Sequence, residues 1–125
     1  MEIVLDTNAL VYAAKYKIDI IKAIREKFGL IGVYVPNLVM NELKLMSKSA
    51  EKAPDRDAAW LAYQIAKKQM ITEIRLSGIT DEAIMAYALG HGAMVLTNDS
   101  ILLFKLKQAG VKVYSIRQKK LVAEV

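Results

Sequence analysis

The chain has 125 residues, no cysteine and a formal net charge of +5, with a pI of about 9.4. This length predicts a single domain over residues 1–125 that folds without a disulfide or a structural metal. The lack of cysteine excludes thiol nucleophiles and thiolate zinc sites, and the single histidine excludes a two-histidine metal site. The basic surplus favours a polyanionic partner, nucleic acid first.

No segment has the pattern of a targeting or membrane-spanning sequence. The N-terminus shows no basic region followed by an apolar run, which a secretory signal would have. No apolar run approaches the ~18 residues of a membrane helix. We therefore expect a soluble, cytoplasmic protein with no membrane partner.

The first half of the chain predicts alternating strands and helices. The expected elements are a strand at 2–5, helices at 8–16 and 19–28, a strand at 32–35 and a helix at 38–48. Asp19 and Asn37 are the expected helix caps, and Gly29 the stop of the second helix. The apolar stripe of the third helix is expected to comprise Leu38, Val39, Leu45 and Met46.

The second half continues the alternation after a polar loop at 47–57. A helix is expected at 57–70, a short edge strand at 71–76, a helix at 80–90, a strand at 93–97, a helix at 101–108, a strand at 111–116 and a basic tail at 117–120. Thr80 is the expected cap of its helix, and His91 a residue that ends it. This alternation predicts a parallel sheet with helices on both faces.

Two predicted buried strands end in similar polar residues. Asp6-Thr7-Asn8 follows the first strand, and Thr97-Asn98-Asp99 follows the strand at 93–97. Adjacent parallel strands end at one rim of the sheet, where open α/β sheets bind their ligands. Each aspartate alone is either a helix cap or an acid of an active site. Thr7 and Thr97 are expected to hold carboxylates or water by hydrogen bonds.

Two helices add acids on their apolar sides, Glu42 and Asp81. A carboxylate near the core is costly unless it is paired or metal-bound. The alternatives are that Glu42 pairs with Lys44 or Arg56, and that Asp81 is a first-turn acid favoured by the helix dipole. Several ionised carboxylates at close range need a counter-charge, and oxygen ligands alone select Mg²⁺ or Mn²⁺ over zinc.

The order and spacing of these motifs resemble those of PIN-domain nucleases, from Ile3 to Ile116. The matching segments are Asp6-Thr7-Asn8, Asn41-Glu42-Leu43, Asp81-Glu82-Ala83-Ile84 and Thr97-Asn98-Asp99. The resemblance implies a three-layer α/β/α sandwich with a central, mainly parallel sheet. It also implies Mg²⁺- or Mn²⁺-dependent endonuclease activity on single-stranded or structured RNA.

The same resemblance assigns roles to particular residues. It places Asp6, Glu42, Asp81 and Asp99 in a catalytic, metal-binding quartet, and Asn8 and Thr97 among the polar residues that accompany it. Glu82, directly after the third acid, is either a further ligand or a surface residue. The expected reaction is hydrolysis of an RNA phosphodiester by metal-activated water.

Basic residues near these motifs are candidates for contacts with the RNA backbone. Lys44, Lys48 and Lys52 are spaced four apart beside Glu42, and a second patch is expected from Lys105, Lys107, Arg117, Lys119 and Lys120. The alternative for each is a solvated surface position. Backbone contacts of this kind give affinity without sequence choice.

Several functions remain open within this resemblance. The ending at 110–120 is similar to archaeal PIN proteins related to rRNA-processing nucleases, whereas VapC-type toxins have the same quartet and a similar length. The expected partners are RNA, a second copy in a homodimer, and an antitoxin or a ribosome-assembly factor. A non-catalytic RNA-binding PIN protein is a further alternative. A receiver domain is disfavoured, because the strand ending at Leu96 is not followed by the lysine it needs.

Overall fold

Strands and helices alternate along most of the chain in the computed structural model, which describes residues 1–68 and 70–124. Its elements are β1 (Glu2–Leu5), α1 (Thr7–Lys15), α2 (Ile20–Phe28), β2 (Gly32–Pro36), α3 (Asn37–Ser49), α4 (Ala53–Lys68), β3 (Thr72–Ile74), α5 (Thr80–His91), β4 (Met94–Leu96), α6 (Ser100–Gln108), β5 (Val113–Arg117) and β6 (Lys120–Ala123). None of the described helices is long and apolar enough to cross a membrane.

The strands form one sheet in the order β3-β2-β1-β4-β5-β6. The first five are parallel, and β6 is antiparallel to β5. Val4 pairs with Tyr34 on one side and with Val95 on the other, so β1 lies at the centre. The chain proceeds outward from β1 in both directions, which makes the gap between the ends of β1 and β4 a topological switch point. The predicted α/β/α fold with a mainly parallel central sheet is thus confirmed.

The two central strands are buried on both faces. Ile3, Val4 and Leu5 in β1 and Val95 and Leu96 in β4 have no exposed surface. Strands covered by helices on both sides need continuous apolar runs, which is why these segments show no polar alternation. Burial of each such side chain contributes ~1.5–3 kcal/mol. The polar residues that follow these strands are therefore attached to the most rigid part of the sheet.

Two predicted helix caps are wrong, because tertiary contacts use their side chains. Asn37 is the first residue of α3, after Pro36 at the cap position, and its Oδ1 accepts a hydrogen bond from the Leu76 amide at 2.7 Å. Thr80 is the first residue of α5, after Ile79 at the cap position, and its hydroxyl donates to Glu42. Both side chains tie one element to another instead of closing their own helix.

The expected apolar stripe of α3 and the expected start of α4 also need correction. In α3 the buried residues are Val39, Met40 and Leu43, while Leu45 is 65% exposed. The helix α4 begins at Ala53, within the predicted loop, because Pro54 is tolerated in a first helical turn. Its buried residues are all alanines, which allows α4 to lie close against α1 and α3.

The predicted basic tail is instead the turn of a hairpin. Arg117 ends β5 and pairs with Lys120, the first residue of β6. Gln118 between them has a φ of 57°, which a tight reversal of the chain requires. Leu121 then packs into the core with 4% of its surface exposed. The segment thus forms an antiparallel edge strand that the sequence did not predict.

Candidate active site

Asp6 lies at the end of β1, at the switch point, and is 5% exposed. Its Oδ1 accepts a hydrogen bond from the Asn8 amide at 2.6 Å, which caps α1. Its Oδ2 accepts a hydrogen bond from the Thr97 hydroxyl. Asp6 is therefore a helix cap and also a buried acid at the rim where α/β sheets bind their ligands.

Thr97 connects the ends of three neighbouring strands. It follows β4, is fully buried, and donates its hydroxyl to Asp6 on the β1 side. Its amide donates to the Tyr114 carbonyl at 2.9 Å, and its carbonyl accepts from the Ser115 hydroxyl at 2.8 Å, both on β5. The register between β4 and β5 thus determines where the Thr97 hydroxyl lies.

Asp99 is the N-cap of α6 and is held from both sides. Its Oδ1 accepts from the amides of Ile101 and Leu102, at 2.8 and 3.1 Å. Its Oδ2 accepts from the Asn8 side chain at 3.0 Å, and its own amide donates to the Thr97 hydroxyl oxygen at 3.0 Å. Asn8 therefore joins the two strand ends, since its amide reaches Asp6 and its side chain reaches Asp99.

Glu42 projects from α3 and is held by two threonines. One carboxylate oxygen accepts from the Thr7 hydroxyl at 2.5 Å, and the other from the Thr80 hydroxyl at 2.7 Å. The alternative in which Arg56 pairs with Glu42 is wrong, because Arg56 donates to the carbonyls of Ala50 and Glu51, at 2.7 and 2.9 Å. The contact with Thr80 was not predicted, since a threonine just before a helical segment has the pattern of a cap.

The four acids interact electrostatically. Burial raises the pKa of Asp6 to about 7, because its effect exceeds the lowering by the hydrogen bonds from Thr97 and Asn8; the charges of Asp81 and Asp99 add smaller increases. Burial also raises the pKa of Asp81, followed by the charges of Asp99 and Glu42, while Lys105 lowers it. The structure therefore brings Asp6, Glu42, Asp81 and Asp99 into one acidic cluster. None of the ion pairs that the described residues form includes a member of it.

The acidic cluster suits a divalent ion that keeps part of its water shell. Its carboxylates repel one another and have no cationic partner among the ion pairs of the described residues, so a cation would lower their energy. As they stand, however, no three acidic or histidine side chains of the described residues are grouped so that they could hold one ion. Mg²⁺ is commonly bound by one or two carboxylates and several waters, so it does not require three acids grouped around it.

The other predicted site residues lie outside the acidic cluster and form none of the hydrogen bonds described above. Glu82 is exposed on α5, next to Asp81. Lys44 and Lys48 are exposed on successive turns of α3. Arg117 forms an ion pair with Glu124 at 3.0 Å. Lys119 is exposed in the turn between β5 and β6 and lines a groove of about 360 Å³ with other lysines.

His91 lies far from the acidic cluster. It is the last residue of α5, whose first residue contacts Glu42, and eleven residues of helix span about 16 Å. Its Nδ1 is 3.0 Å from the Tyr87 carbonyl, and its ring stacks on Tyr87. The helix is closed by Gly92, which has a φ of 63°. His91 therefore belongs to the last turn of the helix rather than to the site.

The fold and the acidic rim define this chain as an α/β protein of the PIN type. Residues 3–119 match the model of the PIN-like domain family, and the chain belongs to that family. It is 33% identical over 125 residues to ribonuclease VapC4 of Methanocaldococcus jannaschii, an alignment that covers 95% of this chain and 92% of that protein. It is 29% identical over 119 residues to ribonuclease VapC9 of Archaeoglobus fulgidus, covering 95% and 85% respectively.

A solved structure agrees with this assignment. The PIN domain endonuclease Utp24 superposes with a TM-score of 0.82 at 20% identity, covering 98% of this chain and 90% of that one. At this identity the likeness confirms the fold alone. PIN-domain nucleases generally use divalent metal ions, which agrees with the acidic character of the rim.

Proposed function

We propose that this protein is a divalent-metal-dependent endoribonuclease of the VapC kind, which hydrolyses RNA phosphodiester bonds. The observation that supports this best is the acidic cluster at the switch point, where Asp6 is buried against Thr97 and coupled to two further aspartates. Two VapC ribonucleases align over nearly the whole chain. A role in rRNA processing is supported only by the similarity of residues 110–120 to archaeal PIN proteins related to rRNA-processing nucleases. The identity of the RNA substrate therefore stays a prediction.

The acidic cluster is assigned the role of the metal site. Asp6, Glu42, Asp81 and Asp99 would hold Mg²⁺ or Mn²⁺, directly or through water. The bound ion would supply a water of lowered pKa as the nucleophile and stabilise charge on the phosphate oxygens. The proposed mechanism includes no covalent intermediate between a side chain of the protein and the RNA.

The polar residues around the cluster would keep the acids in position. Asn8 orients Asp6 through its amide and Asp99 through its side chain. Thr97 fixes the second oxygen of Asp6. Thr7 and Thr80 fix the two oxygens of Glu42. Each hydroxyl or amide donor stabilises the ionised form of the acid that it contacts, which is the form that binds a cation.

Exposed basic residues are proposed to hold the RNA backbone. Lys44 and Lys48 follow Glu42 on α3 by two and six residues, and Arg117 and Lys119 lie at the end of β5 and in the turn after it. Parallel strands end on one rim, so the end of β5 is on the same rim as Asp6. Arg117 would exchange its exposed ion pair with Glu124 for a phosphate.

The kinship with VapC proteins extends the proposal to a protein partner. An antitoxin protein is the partner that this kinship favours, and a homodimer is expected from the resemblance to PIN proteins. Co-expression with the product of an adjacent small gene, followed by size-exclusion chromatography with light scattering, tests both expectations. A monomer that elutes without that product would contradict them.

Cleavage assays test the proposed activity. Single-stranded and structured RNA are incubated with wild-type protein in Mg²⁺, Mn²⁺ or EDTA, beside Asp6→Asn and the control Asp57→Asn. Asp57 is an exposed aspartate of α4, so its change should leave cleavage intact. We expect cleavage with Mg²⁺ or Mn²⁺ and none in EDTA or in Asp6→Asn. Cleavage that persists in EDTA or in Asp6→Asn would refute the mechanism.

The same variants distinguish the enzyme from a non-catalytic RNA-binding protein. A binding protein would retain RNA tightly without metal and would show no cleavage under any condition. RNA binding in EDTA, measured by fluorescence anisotropy, should be similar for wild type and Asp6→Asn in that case. A metal-dependent gain in binding that Asp6→Asn lacks would instead support the nuclease.

A further inference from the structure

A groove of about 450 Å³ opens directly off the acidic cluster and runs along α1. Asn8 and Asp99, which are hydrogen-bonded to each other, line one end of it. Tyr12, Lys15 and Tyr16 line its other end. Clefts of ~300–1,000 Å³ are the size of small-molecule sites, so one nucleotide fits this volume.

Two tyrosines form an aromatic pair in this groove. Tyr12 and Tyr16 are one helical turn apart, with ring centroids 4.6 Å apart and planes inclined at 49°. Tyr12 packs partly against the core, whereas 56% of the surface of Tyr16 is exposed. Along the axis of α1, which ends at the C-cap Tyr16, they lie four and eight residues from Asn8, about 6 and 12 Å. The pair therefore presents an exposed aromatic surface within a nucleotide's reach of the acids.

We infer that this groove binds an unpaired nucleotide of the RNA, next to the phosphate held at the acidic cluster, with its base stacked on the exposed ring of Tyr16 and Tyr12 packed behind that ring. The inference rests on the proposed function and specifies its substrate class as single-stranded RNA. Base–aromatic stacking is a common way for proteins to bind single strands, because every base has a π face. Bases within a duplex are already stacked on their neighbours and are not available to such a surface.

Lys15 gives the groove a cation beside the aromatic pair. Its ammonium group is 3.7 Å from a carboxylate oxygen of Asp55 on α4, and both side chains are about half exposed. An exposed pair of this kind is weak, so Lys15 can exchange Asp55 for a phosphate. The groove thus combines a stacking surface and a positive charge on one side with the metal-binding acids on the other.

A second aromatic pair provides a matched control. Trp60 and Tyr63 on α4 stack with centroids 5.7 Å apart, and Trp60 is 48% exposed. Neither residue lines the groove that contains Asn8 and Asp99. Removal of Trp60 therefore takes away a similar exposed ring from a helix without changing the inferred nucleotide site.

Binding of a short single-stranded RNA with a fluorescent label, measured by anisotropy in EDTA, tests the inference without cleavage. The variants are Tyr16→Ala, Tyr16→Phe and Trp60→Ala, each checked for folding by circular dichroism. We expect Tyr16→Ala to weaken binding about tenfold, the scale of one lost base–aromatic contact. Tyr16→Phe and Trp60→Ala should bind as wild type does. In Mg²⁺, Tyr16→Ala should raise KM by a similar factor with kcat nearly unchanged.

The outcomes separate this inference from the proposed function. If wild type cleaves RNA and Tyr16→Ala binds and cleaves it equally well, the inferred nucleotide site is wrong and the nuclease stands. Equal binding of a duplex and a single strand of the same sequence would also overturn it. If wild type neither binds nor cleaves any RNA, the proposed function itself fails, and the inference fails with it.

Discussion

Replacement of Asp6 by asparagine should make the metal-free protein less sensitive to rising pH. The folded pKa of Asp6 is about 7, against 3.8 for an ordinary aspartate, because the carboxyl group is buried. Below pH 3.8 it is protonated in both the folded and unfolded states, and its burial then has no electrostatic cost. Above pH 7 it is ionised in both, and the folded state bears the full cost of a buried charge. Asparagine keeps the shape and removes that charge.

The gap between the two pKa values sets the size of the effect. At ~1.36 kcal/mol per pH unit, the gap between 3.8 and about 7 corresponds to about 4 kcal/mol. Wild type should lose up to about this much free energy of unfolding between pH 4 and pH 7, relative to Asp6→Asn. The asparagine also changes the hydrogen bond to Thr97, which adds an offset of ~1 kcal/mol that does not depend on pH.

Urea denaturation in EDTA at several pH values between 4 and 8 measures this difference. The control is Asp19→Asn, because Asp19 also caps a helix through its side chain but is exposed. The stability advantage of Asp6→Asn over wild type should grow as the pH rises to 7 and then level off. If the two curves run parallel across this range, Asp6 is not a buried acid with a raised pKa.

Three further predictions concern the ion, the support of Glu42 and the edge strand. Mg²⁺ at 100 times its Kd should stabilise wild type by ~2.7 kcal/mol in thermal unfolding at pH 8 and Asp6→Asn by much less; equal gains would contradict binding at this acid. Thr80→Val should lower kcat by about tenfold, since Glu42 loses one of its two hydroxyl donors, whereas Thr80→Ser should retain the rate; equal kcat in the valine variant and wild type would exclude a positioning role. Leu121→Ala should cost ~2–5 kcal/mol by urea denaturation, while the exposed Val122→Ala should cost far less; similar losses would mean that β6 does not close the core.

The central strands were predictable because their environment, buried on both faces, permits few residue types other than apolar ones. Strands buried on both faces must be apolar throughout, so the runs ending at Leu5 and Leu96 stand out against the polar residues that follow. Parallel pairing then places both polar ends on one rim. The proximity of Asp6 and Asp99 thus followed from two local patterns and one rule of topology.

The buried face of α3 was not predictable from its pattern. Apolar residues occupy so much of the segment from 38 to 46 that several faces of the helix satisfy the same periodicity. The sheet and α4 select Val39, Met40 and Leu43, and they leave Leu45 in solvent. Glu42 lies at the border of that face, where threonines from two other elements reach it.

The strand β6 was missed because it has little signal of its own. Lys119 and Lys120 made the segment resemble a charged tail, and Leu121 is its only buried residue. An edge strand forms only when its partner offers a free side, and that depends on the completed sheet. The predicted cap roles of Asn37 and Thr80 were wrong for a related reason, because each side chain forms a hydrogen bond with a residue distant in sequence, Leu76 and Glu42 respectively.

The two interpretations of Asp6, a helix cap or an active-site acid, do not exclude each other. Each of its oxygens has a separate donor: the Asn8 amide holds one and the Thr97 hydroxyl the other. The cap orients the carboxylate, and burial gives it an unfavourable charge that a cation would relieve. An asparagine oxygen can accept the same bond from Asn8, so Asp6→Asn removes the charge and keeps the start of α1. Loss of cleavage in a variant that remains folded would therefore report on the charge itself.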